Sequence, residues 1–454
     1  MVSRLREVVA PAYLFLCLIL GGSAQGIWAN MVLQLLGIGL VAWAALAPAE
    51  EPLLPAAKQL LIFALVAVAI VAVQLVPLPS SLWPHLAGRA PIADGYRILG
   101  VPVPALPLSL TPYGSLNSLL GLIPPLGLFC AIMRLKAYRT GWLGMALLAG
   151  TVAGILLGAL QVASGNSLAS PWYLYEQSNF GLATGFFANA NHMAILLVIT
   201  LPFLAAFLGS ARGANKQRNS AIIAMVAGTT LVIVLGIILN GSLAGYGLAL
   251  PVAVTSALLF LPQKRLLRLG ALVLSALLLA GAIGAIATST TRSGELRQEA
   301  TTSVQSRQDM LVTTVRAIRD FLPWGSGLGS FRSVYQLYES RDQITPTYVI
   351  HAHDDYVEIA LELGVAGILL MIAFLAWWAR AVWRAWRDAD AGLYARAASI
   401  ATAAILVHSV VDFPLRTAAI DAAFAMCLAL LIDRRAPVAR EKSDLWPTRH
   451  VVLK

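Results

Sequence analysis

Charged residues are scarce in this chain, 12% of 454 against 59% hydrophobic, where a soluble domain carries about 25%. That scarcity excludes a water-soluble fold of this length and points to a polytopic membrane protein. Cysteine is nearly absent. Cys17, Cys130 and Cys427 all lie inside apolar runs, which excludes a disulfide framework or a cysteine metal cluster and leaves packing roles. Internal repeats and low-complexity tracts are missing too. The first apolar run, after Arg4 and Arg6, continues into further spans and so reads as a signal anchor and not a cleaved leader. The net charge is +10, but its distribution points to membrane orientation and away from nucleic acid.

What is there is a series of apolar runs, each about long enough to span a bilayer as helix. They fall near 10–28, 30–47, 59–76, 112–133, 141–164, 189–209, 219–240, 242–262, 269–289, 355–378, 396–413 and 415–433. The expected fold class is an all-α polytopic membrane protein of about twelve transmembrane helices with a long periplasmic loop. With the N-terminus inside, 22 of the 32 basic residues fall on the cytoplasmic side, so the positive-inside rule fixes the orientation. The domain reading is a membrane bundle over 1–289, a periplasmic loop over 290–353, a second membrane bundle over 354–433 and a cytoplasmic tail over 434–454. The weakest joint is Asn240–Gly241, where two spans meet with almost no loop.

Three outer segments stand out. Val76–Thr111 is rich in proline and reads as an ordered, non-regular cap. Gly165–Ala188 carries Trp172, Tyr173, Tyr175 and Phe180, which suit an aromatic belt at headgroup level, as do Trp377, Trp378, Trp383 and Trp386 on the other side. In the longest segment, Val304, Leu311, Val315, Ile318 and Leu322 recur at helical spacing, so Ser303–Phe321 reads as an amphipathic helix.

Chemistry concentrates in Ile350–Leu370. Two histidines and two aspartates precede what reads as an unbroken apolar helix, with Asp355 as N-cap and Glu358 reaching back to its amide. Glu358 and Glu362 then share a stripe with Asp355. A carboxylate inside an apolar span must face protein or a water-filled cavity. Arg292, Arg297, Arg307, Arg316, Arg319, Arg332 and Arg341 crowd the adjoining outer loop, against the orientation signal. Guanidinium forks match phosphate oxygens, and a histidine beside them can act as general base. The blander reading pairs these arginines with Glu295, Glu299, Asp309, Asp320, Glu339 and Asp342 on a solvated face.

The block His351-Ala-His353-Asp354-Asp355-Tyr356, continuing to Glu362-Leu-Gly364 and Gly367, resembles the His-x-His-Asn…Glu-x-Gly signature of the bacterial O-antigen ligase and polymerase superfamily. Gly185-Phe-Phe-Ala-Asn189-Ala-Asn191-His192, Arg307 through Pro323-Trp-Gly325-Ser-Gly327-Leu-Gly329-Ser-Phe331, and His408-Ser-Val-Val-Asp412-Phe-Pro also resemble its blocks, in the expected order, over roughly 180–415. Asn240-Gly-Ser242-Leu243-Ala-Gly245 sits where members have Ser-Arg-Gly. Leu243 thus removes a usual arginine, and Arg416 or a loop arginine must serve instead. Asp354 replaces the usual asparagine, which favours a protonated His353.

The resemblance implies a glycosyltransferase in the bacterial inner membrane with its site on the periplasmic side. The donor is a glycan on polyprenyl diphosphate and the acceptor a sugar hydroxyl. His353 takes the proton, while Arg307, Arg316, Arg319, Arg332 and Arg416, with His351, Asn189, Asn191, Asp355 and Glu362, bind substrate. No cofactor or metal is implied, although His-Ala-His-Asp-Asp also suits metal ligation. The wording of the motif tilts toward polymerising surface polysaccharide or exopolysaccharide. Ligation of finished chains to lipid A-core, in lipopolysaccharide assembly, is the alternative, and a transporter or flippase a more distant one. Other assembly proteins, such as a chain-length regulator, are expected partners besides the bilayer. Asn189, Asn191 and His192 equally suit helix capping, and the loop glycines a tight turn in place of a phosphate cradle.

Overall fold

The structure, a computed structural model, describes residues 2–23, 27–48, 51–165, 170–260, 265–288, 294–340 and 349–433. The helices are α1 Val2–Leu20, α2 Trp28–Leu46, α3 Pro55–Gln74, α4 Ala90–Ile98, α5 Pro112–Gly121, α6 Ile123–Met133, α7 Thr140–Ala163, α8 Ala190–Ala211, α9 Lys216–Asn240, α10 Leu243–Ala257, α11 Arg265–Thr288, α12 Gly294–Phe321, α13 Phe331–Tyr338, α14 Asp355–Arg387, α15 Leu393–His408 and α16 Ala418–Ile432. Among the described residues, seven segments are long and apolar enough to cross a membrane: α2, α3, α5 with α6, α7, α8, α9 and α14. The other apolar runs hold the shorter apolar helices α10, α15 and α16, part of α11, and α1, which begins with Arg4, Arg6 and Glu7. At the weakest joint, Gly241 adopts a left-handed conformation (φ 72°) and Ser242 caps α10 through Gly245 N, so α9 and α10 are separate helices.

The main core joins α1, α6, α7, α8, α15 and α16. Helix α8 is apolar on nearly every side and sits inside, whereas α3 leaves Ile62, Leu65 and Val73 exposed, as a lipid-facing helix does. With no hydrophobic drive between helices in lipid, close approach depends on small residues and polar contacts. Gly37 of α2 meets Gly127 of α6 backbone to backbone, and Thr151 and Thr200 hydroxyls bond at 2.8 Å between α7 and α8. Cys17 and Cys427 are buried in this core.

Several expectations need correction. The segment 76–111 is more regular than its prolines suggest: it holds α4 and a two-residue antiparallel ladder of β1 Pro77–Leu78 with β2 Leu106–Pro107. Helix α12 buries Met310, Thr313, Thr314, Ala317 and Phe321, one residue round from the stripe read from sequence, and leaves Leu311 exposed, because Met310, Ala317 and Phe321 pack on α13 and the start of α14. Tyr173 and Tyr175 do not form a belt; their hydroxyls donate to Leu182 O and Phe186 O and brace their own loop. Trp377, Trp378 and Trp386 donate indole N–H groups to Gln59, Thr402 and Ser399 of the bundle.

The largest correction concerns α14, which is not continuous. Gly364 has φ 61° and ψ −146° inside it. Breaking a helix in an apolar layer frees backbone groups that must find partners. The loop 323–329 supplies them: Ser326 N donates to Leu361 O, Gly327 N to Glu362 O, and Val365 N to Pro323 O, at 2.9, 2.9 and 3.0 Å. Gln74, the last residue of α3, donates to Glu362 O at 2.9 Å and accepts from Leu328 N. The loop therefore makes a tight turn in which the amides of Ser326 and Gly327 serve the break, while Gly325 N donates to Phe321 O. A Cβ on Gly325 or Gly364 would strike the opposing backbone, so both must be glycine.

Candidate functional site

The break in α14 leaves Asp355, Glu358 and Glu362 pointing along its first two turns toward the turn 409–417 between α15 and α16. Arg416 stands in that turn, its Nε 3.5 Å from Asp355 Oδ1, its Nη2 3.2 Å from Glu358 Oε1 and its Nη1 3.5 Å from Glu362 Oε2. Burial opposes the charge on Arg416, but Glu358, Glu362 and Asp355 more than offset it and hold the guanidinium protonated. Each glutamate is fixed from its far side: Glu362 accepts from Phe331 N at 3.1 Å, and Glu358 from Ala352 N and His351 Nδ1 at 2.9 Å each.

Four residues earlier the arrangement inverts. Asp412 is fully buried and faces three imidazoles: His353 Nδ1 at 3.2 Å, His408 Nε2 at 3.7 Å and His192 Nε2 at 4.0 Å. Burial would raise its carboxyl, but the imidazoles of His353, His408 and His192 outweigh that and hold it well below the usual carboxylate range. The 3.2 Å approach of His353 is an ion-pair distance outside hydrogen-bond geometry. Phe413 separates the two clusters, its ring centroid 4.2 Å from His351, 4.9 Å from His353 and 5.0 Å from His192. His353 itself has φ 51°, a strained conformation for a non-glycine residue that persists where its surroundings impose it.

A cavity of about 730 Å³ opens beside the Arg416 cluster. Its polar end is lined by His351, Asp355, Glu358, Glu362, Arg332 and Arg416. From there it runs between Phe63, Ala67 and Val71 of α3 and Leu363 to Leu375 of α14. One end is charged, and the stretch between α3 and α14 is apolar. A family model described as O-antigen ligase matches residues 228–372. That match, over about a third of the chain, supports the resemblance to the O-antigen ligase and polymerase superfamily. No curated protein matches it.

Measured against what the resemblance implies, the site is narrower than its sequence suggested. His351, Asp355, Glu362, Arg332 and Arg416 line the cavity. His353 does not; it flanks the cavity across Phe413, against Asp412. Arg307, Arg316 and Arg319 are not brought in: they lie along α12, with Arg316 and Arg319 exposed. Arg292 and Arg341, the side chain of Arg297 and the tail 434–454 lie outside the described residues. Asn189 caps α8 through Asn191 N at 2.8 Å, and Asn191 accepts from Ser242 Oγ at 2.7 Å, so both serve packing here. The N-cap of α14 is Asp354, whose Oδ1 accepts from Tyr356 N and Val357 N. Asp355 instead donates its amide to Ser409 O. Spent on capping, Asp354 is not the carboxylate that acts on His353. That role falls to Asp412.

The sequence reading missed Asp412 as the meeting point of three histidines, which come from three separate blocks. It also missed three buried amides at the ends of spans, Gln74, Gln161 and Asn240. Gln161 accepts from Thr184 N and Gly185 N, and Asn240 donates to Ala183 O and Ala190 O. Arg89 was overlooked as well: fully buried, it donates to Ala87 O, Leu108 O and Gly325 O and lies over the Phe321 ring. Burial lowers it to about 10. Its work is to fasten the first outer segment to the glycine turn. Among the described residues no group of three or more His, Cys, Asp or Glu side chains is arranged to hold a metal ion.

Proposed function

We propose that the chain is a glycan transferase of the bacterial inner membrane. It moves an oligosaccharide from polyprenyl diphosphate to a sugar hydroxyl on the periplasmic face, polymerising repeat units of a surface polysaccharide or exopolysaccharide. The observation that carries this reading is the cavity: a charged end with two guanidinium groups, Arg332 and Arg416, continues into an apolar groove between α3 and α14. That is the shape of a lipid diphosphate. Polar groups gathered at one end of α8, α14, α15 and α16 favour transfer over transport, which calls for charges spread through the depth of several spans.

In the reaction, the anomeric C–O bond to phosphate breaks as the acceptor oxygen bonds to the same carbon. The diphosphate leaves with the bonding electrons and is met by Arg416 and Arg332. His353 receives the hydroxyl proton. With Nδ1 turned to Asp412, its Nε2 is the nitrogen available to accept. His351, by contrast, faces Glu358, whose charge Arg416 already shares, so Asp412 is the stronger support for a base. An excess of carboxylates around Arg416 favours release of the spent carrier.

Product analysis of a deletion strain tests the reading. Loss of chain length with one repeat unit retained marks a polymerase, and long chains left on the carrier mark a ligase. Twelve spans with residues 290–352 outside predict that a cysteine at the exposed Ser333 is labelled by a membrane-impermeant reagent from the periplasm. Labelling only after lysis contradicts that orientation.

A further inference from the structure

Three polar side chains enter the cavity from elements that the family match does not cover and that the proposed mechanism does not use. Gln34 lies in the second turn of α2, Asn117 on α5 and Asp421 in the first turn of α16. Among the described residues, none of these side chains makes a hydrogen bond or an ion pair. Gln34 and Asp421 are set in apolar helices, where a polar group is costly unless it meets protein or a wet cavity. What they meet is the cavity.

Their chemistry narrows the occupant. None is a cation, and a diphosphate is met by cations, so the three do not serve it. Two amides that both donate and accept, beside a carboxylate that only accepts, complement a ring bearing several hydroxyls. In the transferase reading, on which this rests, the groove holds the lipid and Arg416 the diphosphate, so the next group in line is the sugar bonded to it. We infer that Gln34, Asn117 and Asp421 form a subsite for the hydroxyls of the donor's first sugar, and that this part of the glycan is read outside residues 228–372.

The test compares binding of bare undecaprenyl diphosphate with that of undecaprenyl diphosphate-linked oligosaccharide isolated from cells lacking this protein. The full-length protein is used in lipid nanodiscs. Wild type is expected to prefer the glycan-bearing carrier by at least about tenfold. Gln34→Ala, Asn117→Ala and the near-isosteric Asp421→Asn should each cut that preference by about 3- to 10-fold, the loss of one hydrogen bond. Unchanged affinity for the bare carrier shows that the variants are folded. A preference intact in all three variants overturns the subsite while leaving the transferase reading standing. Variants that raise only the KM for acceptor glycan overturn the assignment to the donor. A wild type that binds neither carrier overturns both.

Discussion

The two faces of Phe413 are built from the same materials with the signs exchanged. On one face a single guanidinium, Arg416, meets three carboxylates; on the other a single carboxylate, Asp412, meets three imidazoles. The difference lies in which group stands at the centre. An arginine among carboxylates keeps its charge throughout the working range and suits a fixed anchor for a leaving group. An imidazole held by a carboxylate has one nitrogen oriented and the other free to accept, and so suits proton transfer. Five residues of chain, Asp412 to Arg416, thus carry both halves of a transfer reaction, with an aromatic ring keeping them apart.

Breaking the fixed side should have the largest effect. Arg416→Ala strands three buried carboxylates, and removing one partner of such a cluster costs about 3–5 kcal/mol. We expect little folded protein, measured by thermal unfolding in detergent. Arg416→Lys keeps the charge and loses the fork, so it should fold and lose most transfer.

The imidazole side should respond to Asp412→Asn with intact folding and a loss of turnover on the order of 10²-fold, because the imidazole loses the group that orients it. The same variant tests pH. Asp412 is held below its ordinary value in the fold, so its stabilisation is present above an unfolded value of about 4 and disappears as pH falls further. Melting curves between pH 5 and pH 2 should fall more steeply for wild type than for Asp412→Asn.

Gly364→Ala attacks the scaffold common to both faces. Forcing a Cβ against the Pro323 carbonyl at positive φ should cost about 1–3 kcal/mol, read from the unfolding midpoint. The smallest effect belongs to the exposed arginines of α12. Arg316→Lys or Arg319→Lys should change turnover by less than about twofold, within the range of surface substitutions. A large loss there would mean that the donor reaches beyond the cavity.

The helices were legible because apolar runs of spanning length leave few alternatives, and the signature near His351 was legible because its residues are consecutive. What escaped was made by distance. Asp412 gathers His192, His353 and His408 from segments up to 220 residues apart, and no local period encodes that meeting. The break at Gly364 hid inside an apolar run because glycine alone does not separate a tolerated helix residue from a kink. Its partners, Gln74 and the loop 323–329, lie far away in sequence. The α12 arginines misled for the opposite reason: local density of charge looked like a site, and the face that α12 turns to the bundle decided otherwise.

The central claim is that His353, supported by Asp412, takes the acceptor proton while Arg416 receives the diphosphate. Its most direct measurement is single-turnover transfer from lipid-linked donor by purified wild type, His353→Ala and His351→Ala. The account predicts that His353→Ala loses about 10²–10⁴-fold in rate with donor still bound, and that His351→Ala loses less. Full transfer by His353→Ala, or a greater loss in His351→Ala, would contradict it.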